Sequence, residues 1–379
     1  MHSFFLKKIF KKLVNIAKII LNKKILKMSF CFFCILFLFF APYFVFCKNN
    51  FKVDNDLFIL PNSQKKVLTM WHIETFEGGS ASREKYLHSC AKKFSNIEKN
   101  CLIVIKTLSY EQLLANLENK DNLPDLFSFG IGSGYLLSSY LSELSKNTII
   151  RDDLACYGMI NDCIFAYPYI MSGYCVISRK TDGNNLDFDL TSALKAKTNA
   201  NKKNIGFSFS FNKFLNPLNA LDPNILKDIK LEKDALIESS SYEAYNSFIS
   251  NKEVCSLLGT TRDFVRIKNR EEKGSIGNIN YYFLPSYTDL VQYVAVNKFS
   301  SNEKIILSKK FSQFLTEEEC QSLLSNYGLF STNGKRIYKD TDQMSNFEKC
   351  LTSTLISQNV FSSHDSIYNC QNEYKMKLN

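Results

Sequence analysis

The chain has 379 residues and a formal net charge of +10, from 47 Lys and Arg against 37 Asp and Glu. That balance suggests an anionic partner, but eight lysines (Lys7, Lys8, Lys11, Lys12, Lys18, Lys23, Lys24, Lys27) fall in residues 1–28, which hold no Asp or Glu, leaving 39 basic against 37 acidic residues elsewhere. A globally basic nucleic-acid binder is therefore disfavoured, 45% hydrophobic and 22% charged residues argue against disorder, and the 14 Gly and 7 Pro rule out collagen-like and Pro-rich fibres.

Residues 1–28 read as a basic cytoplasmic region. An uncharged apolar segment over 29–47 follows (FCFFCILFLFFAPYFVFC from Phe30 to Cys47). Its 18-residue core would cover about 27 Å as a helix, the thickness of a membrane's apolar interior. Lysines before it place the N-terminus in the cytoplasm and the body outside. Phe44-Val45-Phe46 before Cys47 departs from a lipoprotein signal. An uncleaved anchor is favoured, with a cleaved export signal as the alternative. Residues 48–66 are polar and read as a tether.

The body opens with a strand over Val67–Ile73, broken by Gly78-Gly79-Ser80. A helix follows with Tyr86, Leu87, Cys90, Ala91 and Phe94 on one stripe. Cys101–Lys106 (CLIVIK) has the pattern of a buried parallel strand, and Ser109–Asn119 that of an amphipathic helix. Pro124-Asp125 leads into a strand at Leu126–Phe129. Gly130-Ile131-Gly132-Ser133-Gly134 turns the chain into a helix over Tyr135–Leu144. The order βαβαβα implies a parallel sheet with right-handed crossovers. Further on, Ile164–Tyr169, Tyr174–Ser178, Gly259–Ile267 (GTTRDFVRI), Asn280–Leu284 and Leu290–Asn297 read as extended. Thr181–Asn185 is a turn cluster. Ser241–Ser250 and Glu303–Leu315 read as helices, and Thr316-x-x-Glu319 as a capping box opening another. Residues 340–379 read as polar and helical.

Nine cysteines lie beyond Cys47, so at least one is unpaired, and an exported chain permits disulfides that spacing alone does not assign. Cys101, Cys175 and Cys255 sit in apolar segments and read as small buried hydrophobes. The four histidines are scattered, no Cys/His group has metal-ligand spacing, and no nucleophile elbow, zinc-protease motif or Walker A is present. Neither a metal nor a cofactor is called for, and no enzymatic activity is expected.

Several segments, in order, resemble the substrate-binding proteins of ABC importers, in particular the large extracellular solute-binding class that handles sugars: VLTMWHIETFEGG (67–79), the strand–helix–Pro-Asp–strand unit over 94–132, NDCIFAYPYIMSGYCVISRK (161–180), YYFLPSYTDLVQYVAVNKFSSNEK (281–304) and KKFSQFLTEEECQSLLSNYGLFST (309–332). The resemblance implies an α/β, two-lobed periplasmic-binding-protein-like fold of type II. Lobe 1 would occupy 67–165 with part of 290–379, and lobe 2 would occupy 166–289. Residues 290–379 would form the return segment and C-terminal helices. It further implies a monomeric, non-catalytic receptor that closes on a small polar solute, by family default a carbohydrate, and hands it to ABC permease subunits. A ligand sensor coupled to a membrane signalling protein, or a secreted bilobal enzyme, are the alternatives.

Candidate ligand residues follow from strand ends and the expected hinge. Trp71 either stacks on a ligand or is a core aromatic; Glu74, Phe76 and Glu77 occupy the loop behind it. Gly130, Gly132 and Ser133 have GxGxG spacing without an acidic residue at dinucleotide distance, so they read as a rim turn with amides toward a polar ligand. Tyr167, Tyr169 and Tyr174 lie near the hinge and serve either ligand or packing. Arg262 and Asp263 are either a cleft guanidinium with its neighbour or an internal pair. Tyr287 and Asp289 flank the return crossing.

Overall fold

The computed structural model describes residues 12, 66–75, 82–118, 122–180, 207–210, 214–222, 236–239, 241–252, 254–339, 343–351, 355–356 and 359–363. The apolar segment over 29–47, Phe76, Glu77 and the Thr181–Asn185 cluster lie outside them. Among the described residues no helix is long and apolar enough to cross a membrane. The chain divides into units at 1–64 and 65–379, and all the described strands belong to the second.

Two five-stranded sheets organise that unit. The first is built from β1 (Lys66–Ile73), β2 (Cys101–Leu108), β3 (Leu126–Phe129), β6 (Tyr167–Met171) and β13 (Val291–Val296), in the order β2-β1-β3-β13-β6. β1 is parallel to β2 and β3, while β13 runs antiparallel to β3 and β6. Between them come helices α1 (Ser82–Ile97) and α2 (Tyr110–Glu118) and the short α3 (Gly134–Leu137) and α4 (Asp152–Ala155). The small ribbon of β4 (Met159–Ile160) and β5 (Cys163–Ile164) precedes β6.

The second sheet has the order β11-β7-β10-β8-β9, from β7 (Tyr174–Arg179), β8 (Phe207–Ser210), β9 (Leu236–Ser239), β10 (Ser256–Thr260) and β11 (Ile279–Leu284). Helices α5 (Ser241–Ser250) and α6 (Thr261–Glu272) accompany it. The C-terminal part adds α7 (Asn302–Phe314), α8 (Glu318–Gln321) and α9 (Gln343–Cys350), with β12 (Tyr287–Thr288) paired to β14 (Leu355–Ile356). This is the two-lobed α/β architecture expected from the sequence.

Local chemistry explains the first sheet. The side chain of Ser109 accepts from Gln112 N (3.2 Å) while Gln112 Oε1 accepts from Ser109 N (2.9 Å), a reciprocal cap that starts α2. Asp125, buried just before β3, accepts from Thr69 N (2.9 Å), Ser300 Oγ (2.7 Å) and Lys304 Nζ (3.0 Å). One carboxylate thereby fixes β1, β3 and α7 together. Gln321 Nε2 donates to Tyr169 O (2.8 Å) and Leu315 O (2.7 Å), and its Oε1 accepts from Thr332 N (2.7 Å), locking the segment after α8 onto β6.

Two crossings between the sheets lie among the described residues. Ser172-Gly173 links β6 to β7, and the Asp289-Leu290 step leads from β12 into β13. The crossings lie side by side: Ser172 N donates to Leu290 O (2.8 Å), and Thr288 Oγ1 donates to Ser172 O (2.7 Å). Two adjacent connections of this kind let two lobes rotate about one line.

Four sequence expectations are corrected. GTTRDFVRI is not extended: the strand stops at Thr260, where Thr260 and Asp263 form a reciprocal capping box that starts α6. The Thr316-x-x-Glu319 motif is not a cap, because Thr316 Oγ1 turns back to donate to Gln313 O (2.7 Å) and α8 is preceded by Glu317 without a side-chain cap. CLIVIK is not wholly buried: Leu102 and Val104 point outward from an edge strand and are about half exposed (50% and 47%). The helix expected over Tyr135–Leu144 is cut to α3 and a 3-10 turn ending at Tyr140. In addition, β6 pairs within the first sheet, so the chain leaves that sheet at Ser172-Gly173 and not at residue 166.

Candidate functional site

Because β1, β2 and β3 are parallel, their C-terminal ends point the same way, and the loops that follow meet at one edge of the first sheet. Glu74 N donates to Leu108 O (3.0 Å), so the first loop starts beside the second. Thr75 lies against Gly130: a Cβ at Gly130 would meet Thr75 Oγ1 and Cγ2 at 2.8 Å. Gly132 has φ +92°, and a Cβ there would meet the Phe214 ring at 2.3 Å. Phe214 follows β8 of the other sheet in the chain, and its ring lies 4.7 Å from that of Tyr110 at the start of α2. Loops from all three strands therefore gather at a spot where Phe214 touches two of them. Glu74 and Tyr110 are half-buried there, and Gly130, Gly132 and Ser133 are buried.

Beneath this edge lies a buried polar network. His72 Nδ1 and Ser128 Oγ are 2.8 Å apart, and Ser128 Oγ and Tyr169 OH 2.7 Å. Gln292 Nε2 donates to Ser128 Oγ (3.0 Å) and to Ile73 O (3.1 Å), and Gln292 Oε1 accepts from Arg83 Nη1 (2.6 Å). Burial, reinforced by the charge of Arg83, holds His72 well below the usual imidazole range, so it is neutral. The network ties β1, β3, β6, β13 and α1 together and gives the loops above it a rigid base.

A second polar cluster occupies the crossing. Asp289, buried, accepts from Tyr174 OH (2.5 Å), Asn216 N (2.8 Å) and Tyr287 OH (3.2 Å). Asn219 Nδ2 donates to the same Tyr287 hydroxyl (3.3 Å). Three of the sequence candidates, Tyr174, Tyr287 and Asp289, are thus brought together at the crossing, joined to the segment that carries Phe214.

The other described candidates lie in packed or capping positions. Trp71 is buried, edge-on to Phe127 (6.1 Å), with Lys106 Nζ 6.0 Å from its ring. Tyr167 is buried and donates to Ser145 O. Tyr169 is fully buried and stacks on Tyr86 (6.3 Å, 17°). Asp263 caps α6 through Thr260 N and Thr260 Oγ1 (3.0 Å each), with Arg266 at 3.9 Å. Arg262 is buried in the first turn of α6, where Thr261 N donates to Gly173 O (2.9 Å) and Thr261 Oγ1 to Gly328 O (2.7 Å).

Thr75, Tyr110, Phe214, Asn216 and Gln292 join these sites without a sequence signal that singled them out. Tyr110 and Thr75 could have been found as the residues one or two past a strand's end. Phe214 lies in a polar, irregular stretch that carries no such marker.

Burial is the leading cause that pushes the Asp263 and Asp289 carboxyls above the ordinary aspartate value of 3.8. For an acid raised in the folded state, the stability it contributes is fully present below the unfolded-chain value and is lost as pH rises through the folded-state value. The stability of the wild type relative to Asp289→Asn is therefore expected to fall as pH rises above about 4. Thermal melts at constant ionic strength check this; a difference that grows with pH contradicts it.

Comparison with solved structures identifies the architecture. The chain superposes on the ABC substrate-binding protein Lmo0181 from Listeria monocytogenes, in complex with cycloalternan, with a TM-score of 0.58 at 12% identity, covering 82% of this chain and 93% of that one. Maltose-bound MalE3 of T. maritima gives a TM-score of 0.59 at 16% identity, covering 82% and 99%. The chain has the fold of the ABC substrate-binding proteins. The same substrate-binding-protein fold carries a different task in thiaminase I from Bacillus thiaminolyticus, which matches with a TM-score of 0.55 at 10% identity over 83% and 100% of the two chains. No family model and no curated protein matches the sequence.

Proposed function

We propose that this chain is an extracytoplasmic solute-binding receptor that delivers a small polar solute, a carbohydrate by preference, to the permease subunits of an ABC importer. It would act as a monomer, held at the outer face of the membrane through residues 29–47. The observation that carries the reading is the convergence of three strand-end loops, two of them touching Phe214, beside a double crossing that would permit lobe closure. In this scheme Glu74 and Tyr110 contact the solute, with Glu77 and Phe76 from the same loop. Thr75, Gly130, Gly132 and Ser133 shape the first lobe's wall, and Tyr174, Tyr287 and Asp289 set the hinge. A half-buried carboxylate accepts hydroxyl hydrogen bonds, and an aromatic pair offers flat faces, the combination suited to a sugar. Cycloalternan and maltose in the two receptors of like fold support a carbohydrate as the first class to try.

Calorimetric titration with maltose-series oligosaccharides, polyamines and ferric iron tests the proposal. The bound solute is expected to lose tenfold or more in affinity on Glu74→Ala and on Tyr110→Ala, with each variant's melting temperature within about 2 °C of wild type. Unchanged affinity in both variants would remove the strand-end edge from the binding site. A solute recovered chemically altered after incubation would favour an enzyme of the same fold.

A further inference from the structure

α1 and α8 meet across the apolar face of the first sheet, and a cysteine from each sits at the contact. Cys90 lies one turn beyond Tyr86 and one turn before Phe94 on the buried stripe of α1. Cys320 is in α8. Both are fully buried in the same apolar cluster, with Leu68, Met70 and Val294 from the sheet. The contacts on either side align the two residues. Lys93 Nζ reaches Glu319 O (3.2 Å) and the Glu319 carboxylate (3.4 Å) on one side of the pair. On the other, the rings of Tyr86 and Tyr327 meet edge to face at 6.1 Å. Between these clamps the two fully buried side chains lie close enough for the Cys90 thiol to act on that of Cys320. The sulfurs are unlinked in this structure.

We propose that Cys90 and Cys320 form a structural disulfide in the exported protein, clasping α1 to α8. The inference rests on the extracytoplasmic reading above, since disulfides persist in oxidising compartments. Formation proceeds by thiol–disulfide exchange with a disulfide-bearing oxidoreductase. One cysteine thiolate attacks the oxidant's disulfide and forms a mixed disulfide. The second thiolate then attacks the protein sulfur of that bond and expels the oxidant's remaining thiolate. Two S–H bonds are lost, one S–S bond forms, and two electrons and two protons leave on the oxidant as a dithiol.

The neighbouring Cys90 thiol and burial push Cys320 far above the usual thiol range, so Cys320 is no accessible thiolate once the fold closes, and Cys90 is itself fully buried. The bond therefore forms while α1 and α8 dock. It closes a long loop that contains the whole second sheet, yet both ends pack on the first, so the hinge stays free. Long closed loops gain most from such a link.

The test is a peptide map of the full-length chain. The reduced, unfolded protein is refolded with glutathione disulfide as oxidant, free thiols are blocked with N-ethylmaleimide in denaturant, and the chain is cut with trypsin without reduction. Tyr86–Lys92 and Phe311–Lys335 each carry a single cysteine, and they are expected as one linked species that separates on reduction. The reduced chain should melt about 5 °C or more below the oxidised one. Both peptides alkylated, or linked to other cysteines, would overturn the proposal. The same map on chain taken from its native membrane separates the two readings. A link formed on refolding but absent from native material would show that the chain folds in a reducing compartment, and would overturn the export reading. No link in either sample, with the body digestible by external protease, would overturn the disulfide alone. The variants Cys90→Ala and Cys320→Ala should each abolish the linked species.

Discussion

Asp289→Ala is expected to lower stability by about 3–4 kcal/mol and to weaken solute binding in parallel. The carboxylate accepts from two tyrosine hydroxyls and one backbone amide, all buried. Removing it leaves three donors. The hydroxyls of Tyr174 and Tyr287 can turn toward other acceptors, but the Asn216 amide is fixed by its backbone. A buried donor without a partner costs about 1–3 kcal/mol, and bonds to an ionised acceptor are the stronger kind. Loss of the charge returns part of this, because burial already disfavours the ionised carboxyl. Asp289→Asn separates the two effects: it keeps one acceptor and removes the charge, so its loss is expected to be smaller than that of the alanine variant. Chemical denaturation of both variants measures this. A loss below about 1 kcal/mol for Asp289→Ala would mean that the donors re-pair without it.

Gly132→Ala is expected to cost about 2–3 kcal/mol and to reduce solute affinity at least tenfold. Two independent causes act on this residue. Its φ of +92° is a conformation in which a side chain is strained. Its Cβ would also stand 2.3 Å from Phe214 Cγ, an atom at the root of the ring that cannot swing aside without moving the whole side chain. The Phe214 ring also touches Tyr110, so its displacement disturbs the contact where the strand-end loops meet the segment after β8. In a Phe214→Ala background Gly132→Ala should cost less stability than in the wild type, since the collision partner is gone, while the affinity stays low. Failure of Phe214→Ala to relieve any of the loss would assign the whole effect to backbone strain.

The first half of the fold was readable because its signals are local. Apolar runs at Val67–Ile73 and Cys101–Lys106, a helical stripe through Tyr86, Leu87, Cys90, Ala91 and Phe94, and Pro124-Asp125 before a strand each mark one element. Asp125 gives that dipeptide a physical reason, as a carboxylate shared by β1, Ser300 and Lys304. The region after Arg179 was less readable. GTTRDFVRI is rich in β-branched and aromatic residues, so propensity pointed to a strand. The decision for helix came from the Thr260–Asp263 cap and from Phe264 and Ile267, spaced to bury one face. Conversely, Thr316 and Glu319 have the spacing of a cap, yet the hydroxyl went back to the helix before it.

Site residues were harder still, because their role depends on which way a strand faces. Trp71 and His72 are neighbours on β1, and alternation sends them to opposite faces; both faces turned out to be buried. Pattern alone distinguishes a Trp that meets a ligand from one that meets Phe127 only when the cover over that face is known. Tyr174, Tyr287 and Asp289 were marked by nearness to the expected crossings, and they do converge, but on one another. Phe214 became meaningful only once the fold brought it to Gly132, some 80 residues earlier in the chain.

The central claim is that the protein binds a small polar solute reversibly. The most direct measurement is the melting temperature of the full-length chain across a panel of oligosaccharides, monosaccharides, polyamines and ferric iron. A solute that binds only the folded state stabilises by about 2.7 kcal/mol at a hundredfold excess over its dissociation constant. The account predicts that one class, expected to be an oligosaccharide, raises the melting temperature by several degrees in a saturable way and is recovered unchanged. A flat response to every class at millimolar concentration would contradict it.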